Sequence, residues 1–190
     1  TETLSTVKYR LEKLLDGFDA GQAILEGIDT AIVGRPNVGK STLLNALSGR
    51  ERAIVTSVAG TTRDVLEETV RLGNITLRLA DTAGIRNTND RVESIGVEKA
   101  KERIDTAELV LAVFDGTNGL DKEDFELIES IKNKNTIIII NKTDVENKID
   151  ISAFGNLKVV EISAKLKTGY GELASSIAEI SGTANLSPDS

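Results

Sequence analysis

The stretch GRPNVGKS, Gly34 to Ser41, constrains this chain more than any other. It fits the spacing G-x-x-x-x-G-K-S/T and stands between a short apolar run, Ile28–Val33, and a helical pattern through Leu43, Leu44 and Leu47. Glycines at both ends let main-chain N–H groups approach an anion with no Cβ in the way. The start of the following helix adds its partial positive charge. A strand, such a loop and a helix open a parallel α/β sheet whose ligand carries phosphate. On this reading the segment Asn37, Val38, Gly39, Lys40, Ser41 and Thr42 cradles the phosphates. Lys40 reaches the β- and γ-phosphates, and Ser41 ligates magnesium.

Strand-like and helix-like segments alternate along the rest of the chain. Val65–Leu72 and Ile75–Ala80 alternate in hydrophobicity and meet at Gly73-Asn74, in hairpin fashion. The pattern predicts a helix from about Glu93 to Thr106 and a buried strand Leu109–Phe114. It then predicts a helix capped by Asp121 that carries Phe125, Leu127, Ile128 and Ile131. Strands Thr136–Ile140 and Val159–Ile162 and a last helix over Glu172–Ile180 complete the series. Alternation of this kind calls for an α/β fold: a mainly parallel six-stranded sheet with one antiparallel strand from the hairpin, and helices on both faces. Ligands of such sheets bind at the carboxyl ends of the strands.

The domain expected spans residues 28–181. Ahead of it, Leu4, Val7, Leu11, Leu14 and Leu15 form a helical stripe, so 1–27 reads as a helical stub of a parent domain or a linker. The polar stretch 182–190 reads as a loose tail. The chain has no methionine, not even an initiator, and is expected to be a fragment of something longer.

Composition removes several classes of chemistry. The net charge of −7 opposes sequence-independent binding to a nucleic-acid backbone. With no cysteine and no histidine there is no disulfide, zinc cluster or thiol nucleophile, and any general base must be a carboxylate, a lysine, a terminus or the substrate itself. No apolar run is long enough to span a bilayer and no signal peptide is visible, so no membrane partner is expected and the cytoplasm is the default compartment.

Two motifs speak to the base. NKTD, Asn141 to Asp144, follows the Thr136–Ile140 strand. The Asp144 carboxylate can accept paired hydrogen bonds from guanine N1–H and its exocyclic amine, a pattern that adenine lacks. Lys142 can lay its stem along the base, and Asn141 can brace the loops. After the next strand, Ser163-Ala164-Lys165 can offer a main-chain N–H to guanine O6. Other segments speak to the γ-phosphate. In GTTRD a threonine, Thr62 in preference to Thr61, can ligate magnesium and order its loop around a triphosphate. In DTAG, Asp81 can hold magnesium through water and the Gly84 N–H can sense the γ-phosphate. The next residue, Ile85, is a hydrocarbon that cannot orient an attacking water.

In order, GRPNVGKS, GTTRD, DTAG, NKTD and SAK resemble the five G motifs of translation-factor-related, Ras-like P-loop GTPases. More narrowly, GRPNVGKSTLLNAL, AIVTSVAGTTRDV, DTAGIR and VESIGVEKA resemble the G domain of the MnmE (TrmE) family. This resemblance implies GTP hydrolysis in a protein that modifies the wobble uridine of tRNA together with an MnmG-like partner, the tRNA being contacted only indirectly; the alternatives are a ribosome-assembly GTPase domain of Der or Era type, which shares the asparagine of the phosphate loop and GTTR, and a weakly hydrolysing GTP-dependent docking module. It implies a GTP-dependent homodimer through the switch regions and a potassium ion beside the phosphates. The ligands implied for that ion are Asn37 and the Thr56, Val58 and Thr61 segment. From position alone Asn37 reads equally as a turn residue after Pro36. The resemblance also assigns the water to Glu93, which without it reads as a solvated residue in a first helical turn.

Overall fold

The computed structural model describes residues 26–48, 68–73, 75–79 and 101–182. Strand β1 is Ile28–Val33 and helix α1 is Lys40–Ser48; β2, Glu68–Leu72, and β3, Ile75–Leu79, form the hairpin. Helix α2 is described over 101–106. Then come β4 (Leu109–Asp115), α3 (Lys122–Ile131), β5 (Thr136–Asn141), a 3-10 turn (Ile151–Phe154), β6 (Lys158–Glu161) and α4 (Tyr170–Ile180). The six strands form one sheet in the order β2-β3-β1-β4-β5-β6. Only β2 runs antiparallel, paired to β3 with Leu72 opposite Ile75. The remaining neighbours are parallel.

Alternate side chains of a strand point to opposite faces, so a strand buried on both must be apolar throughout. Strands β4 and β5 obey this. Leu109, Leu111, Val113, Ile137 and Ile139 enter one apolar layer with Leu43, Leu44 and Leu47 of α1 and Leu173 and Ile177 of α4. Val110, Ala112, Phe114, Ile138 and Ile140 enter the other with Ile104 of α2, Ile131 of α3 and Phe154. The Phe114 and Phe154 rings meet at 5.1 Å between centroids, tilted by 57°, a favourable arrangement for aromatic quadrupoles. The expected α/β sheet covered on both faces is therefore present. Among the described residues no helix is long and apolar enough to cross a membrane.

The differences from expectation are at element ends. Strands β4 and β5 each run one residue further because Asp115 pairs in register with Asn141. Strand β6 is shifted one residue earlier than the pattern suggested. Helix α4 starts at Tyr170 rather than Glu172, after Gly169 in a left-handed conformation with no side-chain cap. The Tyr170 ring is buried, and that burial draws the first turn onto the core. In α3, Ile131 is buried whereas Phe125 is 51% exposed, so Phe125 is not part of the core-facing stripe.

Helix α3 begins as its sequence requires. The Asp121 carboxylate accepts from the N–H groups of Glu123 and Asp124 at 3.0 and 3.2 Å, and Asp124 returns the bond to the Asp121 N–H at 3.1 Å. Arg35, from the loop after β1, forms ion pairs with Asp121, Asp124 and Glu123. The cap therefore also anchors that loop. Replacing Asp121→Ala should lower stability by about 1–2 kcal/mol, read as a shift of the urea midpoint with an unchanged slope. An unchanged midpoint would show that the cap contributes nothing.

Candidate functional site

The chain leaves β1 for a helix on one face of the sheet and leaves β4 for a helix on the other. The crevice at the carboxyl ends of these neighbouring strands is the topological switch point, where ligands of such sheets bind. The Gly34–Ser41 loop lies there. Gly34 has φ +144°, and a Cβ on it would stand 2.3 Å from the Val113 carbonyl oxygen. Gly39 has φ +102°, and its Cβ would meet the Asn141 side-chain nitrogen at 2.2 Å. No other residue fits either position without moving backbone or the Asn141 amide. Between them, Asn37 follows Pro36 with φ +65°, a left-handed conformation that asparagine tolerates better than most. The turn reading of Asn37 is thus satisfied, and the side chain stays exposed on the rim.

The loop closes around the Lys40 ammonium, which donates to the carbonyls of Gly34 at 2.7 Å and Arg35 at 2.6 Å. Burial away from water disfavours the charged amine and lowers its pKa to about 8. Ser41 is half-buried in the first turn of α1 and Thr42 is exposed beside it.

The second half of the site lies at the ends of β5 and β6. Asn141 is 2% exposed. Its side-chain amide donates to the Val38 carbonyl at 2.9 Å, and its carbonyl oxygen accepts from the Ala164 N–H at 2.9 Å. One side chain thereby joins the phosphate loop, the NKTD segment and the SAK segment. Ser163 donates its hydroxyl to Asp144 Oδ1 at 2.6 Å and accepts the Leu166 N–H at 3.1 Å. Asp144 itself is exposed, and a carboxylate has lone pairs enough for two further donors. Of the Ser163-Ala164-Lys165 segment, expected to offer a main-chain N–H to guanine O6, the Ala164 N–H is given to Asn141 in this arrangement. Lys165 is exposed next to it.

Lys142, at φ +67°, extends its ammonium to Asp115 Oδ2 at 2.6 Å. Burial alone would raise the Asp115 carboxyl, but the Lys142 ammonium and the Thr117 donors outweigh it and hold the group below the usual carboxylate range.

The structure therefore brings together Asn37, Val38, Gly39, Lys40, Ser41, Thr42, Asn141, Lys142, Asp144, Ser163, Ala164 and Lys165 at adjoining strand ends. Thr56, Val58, Thr61, Thr62, Asp81, Gly84, Ile85 and Glu93 lie outside the described residues, as do 1–25, Asn74 and 183–190. Of the magnesium set expected, only Ser41 is described. Sequence reasoning missed Asp115 and Arg35. The signal for Asp115 was a carboxylate at the end of an apolar strand, ahead of Gly116; for Arg35 it was a cation inside the phosphate loop. Neither pattern names its partner.

The family described as 50S ribosome-binding GTPase matches residues 29–142. The tRNA modification GTPase MnmE of Alkaliphilus oremlandii is 47% identical over 178 residues, covering 92% of this chain and 39% of that protein. MnmE of Aquifex aeolicus is 44% identical over 193 residues, covering 98% and 43%. The chain thus spans about two fifths of the length of these relatives. Among solved structures, Aquifex aeolicus Era bound to GDP and AlF4− aligns with a TM-score of 0.57 at 31% identity, over 80% of this chain and 56% of that one. The G domain of the T. maritima FeoB iron transporter aligns with a TM-score of 0.58 at 26% identity, over 80% and 98%. The glycine loop, the guanine-type motifs and these likenesses agree: the chain belongs to the 50S ribosome-binding GTPase family, as a Ras-like G domain of the kind carried by the tRNA modification GTPases MnmE.

Proposed function

We propose that this G domain binds GTP, hydrolyses it to GDP and phosphate, and acts as the switch of a protein that modifies wobble uridine in tRNA. The observation that carries this reading is the direct joining of the Lys40 loop to the Asp144 and Ser163 segment through the Asn141 amide. That joint supports a reading in which the phosphate and base contacts stand at a fixed separation. Asp144 reads the guanine N1–H and amine, Lys142 flanks the ring, and the Ser163-Ala164-Lys165 turn faces O6.

At the phosphates, Lys40 exchanges its carbonyl partners for β- and γ-oxygens, joined by amides of Asn37 to Thr42. The fit to an anion is supported by the part-buried ammonium and by the start of α1 behind it. Magnesium, held by Ser41, Thr62 and Asp81, would neutralise charge on the phosphate oxygens. Gly84 senses the γ-phosphate. Glu93 orients the water, whose oxygen bonds to the γ-phosphorus as the bond to the bridging oxygen breaks, a task closed to Ile85. Potassium, held by Asn37 with Thr56, Val58 and Thr61, would add positive charge beside the phosphates, as an arginine finger does elsewhere. The exposed, left-handed Asn37 on the rim suits such a ligand. Dimerisation of two G domains through their switch regions would complete the site. An MnmG-like protein and, indirectly, tRNA are the partners of the longer protein.

Ile85 favours one other reading, a docking module that holds nucleotide but barely hydrolyses it. Phosphate release in matched KCl and NaCl, over a range of protein concentrations, separates the two. Potassium-specific, concentration-dependent turnover is expected, with Glu93→Ala lowering kcat roughly a hundredfold and sparing affinity. Flat, near-zero rates in both salts would leave the docking module.

Base recognition has its own test. Xanthine carries a carbonyl where guanine carries the amine, so Asp144→Asn should weaken GTP binding roughly a hundredfold and strengthen XTP binding. Equal weakening of both would remove Asp144 from base recognition.

Lys40 supplies a pH signature. Its pKa of about 8 without ligand is raised by phosphate oxygens. Above about pH 8 nucleotide binding should therefore draw a proton from solution, and affinity should fall as pH rises. At about pH 6.5 the amine is already charged and takes up none. Calorimetry in buffers of different ionisation enthalpy reads this; uptake that is the same at about pH 6.5 and pH 9 would refute it.

A further inference from the structure

The loop after β4, Asp115-Gly116-Thr117, is tied to the segment after β5 at three points. Lys142 Nζ donates to Asp115 Oδ2 at 2.6 Å. The Gly116 N–H donates to the Asn141 carbonyl at 2.8 Å, and the Lys148 N–H to the Gly116 carbonyl at 2.7 Å. The carboxylate that receives Lys142 is itself fixed, because its other oxygen accepts the Thr117 N–H at 3.0 Å and the Thr117 hydroxyl at 2.7 Å. The Asp115 side chain is 16% exposed and that of Lys142 36%. This is not an exposed surface pair with freely moving ends.

A lysine side chain loses up to about 2 kcal/mol of rotamer entropy when it is ordered. Here that ordering precedes any ligand, because both ends of the Lys142 stem are held. The backbone end sits at φ +67° and the ammonium end sits on Asp115. Two residues further on is Asp144, held in turn by Ser163. We infer that Asp115 is a positioning residue for guanine: by gripping the Lys142 ammonium it sets the lysine stem as a pre-ordered wall for the purine, beside the carboxylate that reads the base edge. The inference rests on the guanine reading proposed above. Its consequence is expected in binding, since the described partners of Asp115 are Lys142 and Thr117 and do not include Lys40. Preorganisation of this kind raises affinity without adding a contact to the ligand.

A double-mutant cycle tests this in the intact chain, with GDP and GTP as probes. Asp115→Asn keeps the shape and removes the charge; Lys142→Met keeps the stem and removes the ammonium. Asp115→Asn should weaken GDP and GTP about tenfold, the usual effect of losing one charged hydrogen bond, with kcat at saturating GTP unchanged. In the Lys142→Met background the same substitution should change affinity no further. Thr117→Val, which removes the hydroxyl donor to Asp115 Oδ1 but keeps the main-chain N–H donor and the ion pair, should give a smaller loss in the same direction and covers the case in which Asp115→Asn fails to fold. The same affinity loss with and without the lysine ammonium, accompanied by a lowered Tm, would show a general structural role and overturn the inference. So would a wild-type affinity in Asp115→Asn. Failure of the guanine reading is seen separately: the unsubstituted chain would then bind ADP as well as GDP, whatever Asp115 does.

Discussion

The Asn141 side-chain amide is the joint on which the site depends. It is buried, and a buried amide left without partners costs about 1–3 kcal/mol per unsatisfied group. Its two partners belong to different loops: the Val38 carbonyl is 103 residues away in the chain and the Ala164 N–H is 23 away. Gly39 makes the approach possible, because any side chain there would occupy the position of the Asn141 nitrogen. The glycine of the phosphate loop therefore serves two ends. It admits an anion on one side and the asparagine on the other.

This joint is rigid only because the strands beneath it are. Strands β4 and β5 are buried on both faces and pair in register to their last residues, Asp115 and Asn141. A side chain at the last rung of a buried parallel ladder has little freedom to drift. The same rung sets the separation of Asp115 from Lys142, so the ion pair inherits its geometry from the sheet rather than from the loop.

What the sequence showed and what it hid divide along the range of the interactions. The phosphate loop was legible because its chemistry is local: glycines, a lysine and a helix start within eight residues. The central strands were legible because Leu109–Phe114 and Ile137–Ile140 cannot be placed anywhere but inside. Element ends were less so, since they depend on partners; Tyr170 begins α4 through its own burial and not through a capping side chain. Arg35 and Asp115 were invisible as functional residues because each acts through a partner, at Asp124 and Lys142, that is 89 and 27 residues away. The role of Asn37 stays divided for a physical reason: its backbone conformation already justifies an asparagine, so residue type alone cannot argue for a ligand.

A chain of net charge −7 that binds a polyanion needs its local field to differ from its overall one. The contacts show how. Among the described residues, Asp121, Glu123 and Asp124 share the one guanidinium of Arg35, whose single charge offsets one of their three. Asp115, beneath the base segment, is offset by Lys142. Charges more than about 8 Å away are largely screened at physiological salt. Among the described residues, the phosphate loop itself presents the Lys40 ammonium and the start of α1, whose first turn holds no acidic residue. Arg35 serves both sides, because its side chain forms ion pairs with the α3 cap while its carbonyl holds Lys40. Among the described residues, the carboxylates that reach the loop are engaged in ion pairs before the phosphate arrives, which lessens the repulsion an acidic surface would set against an anion.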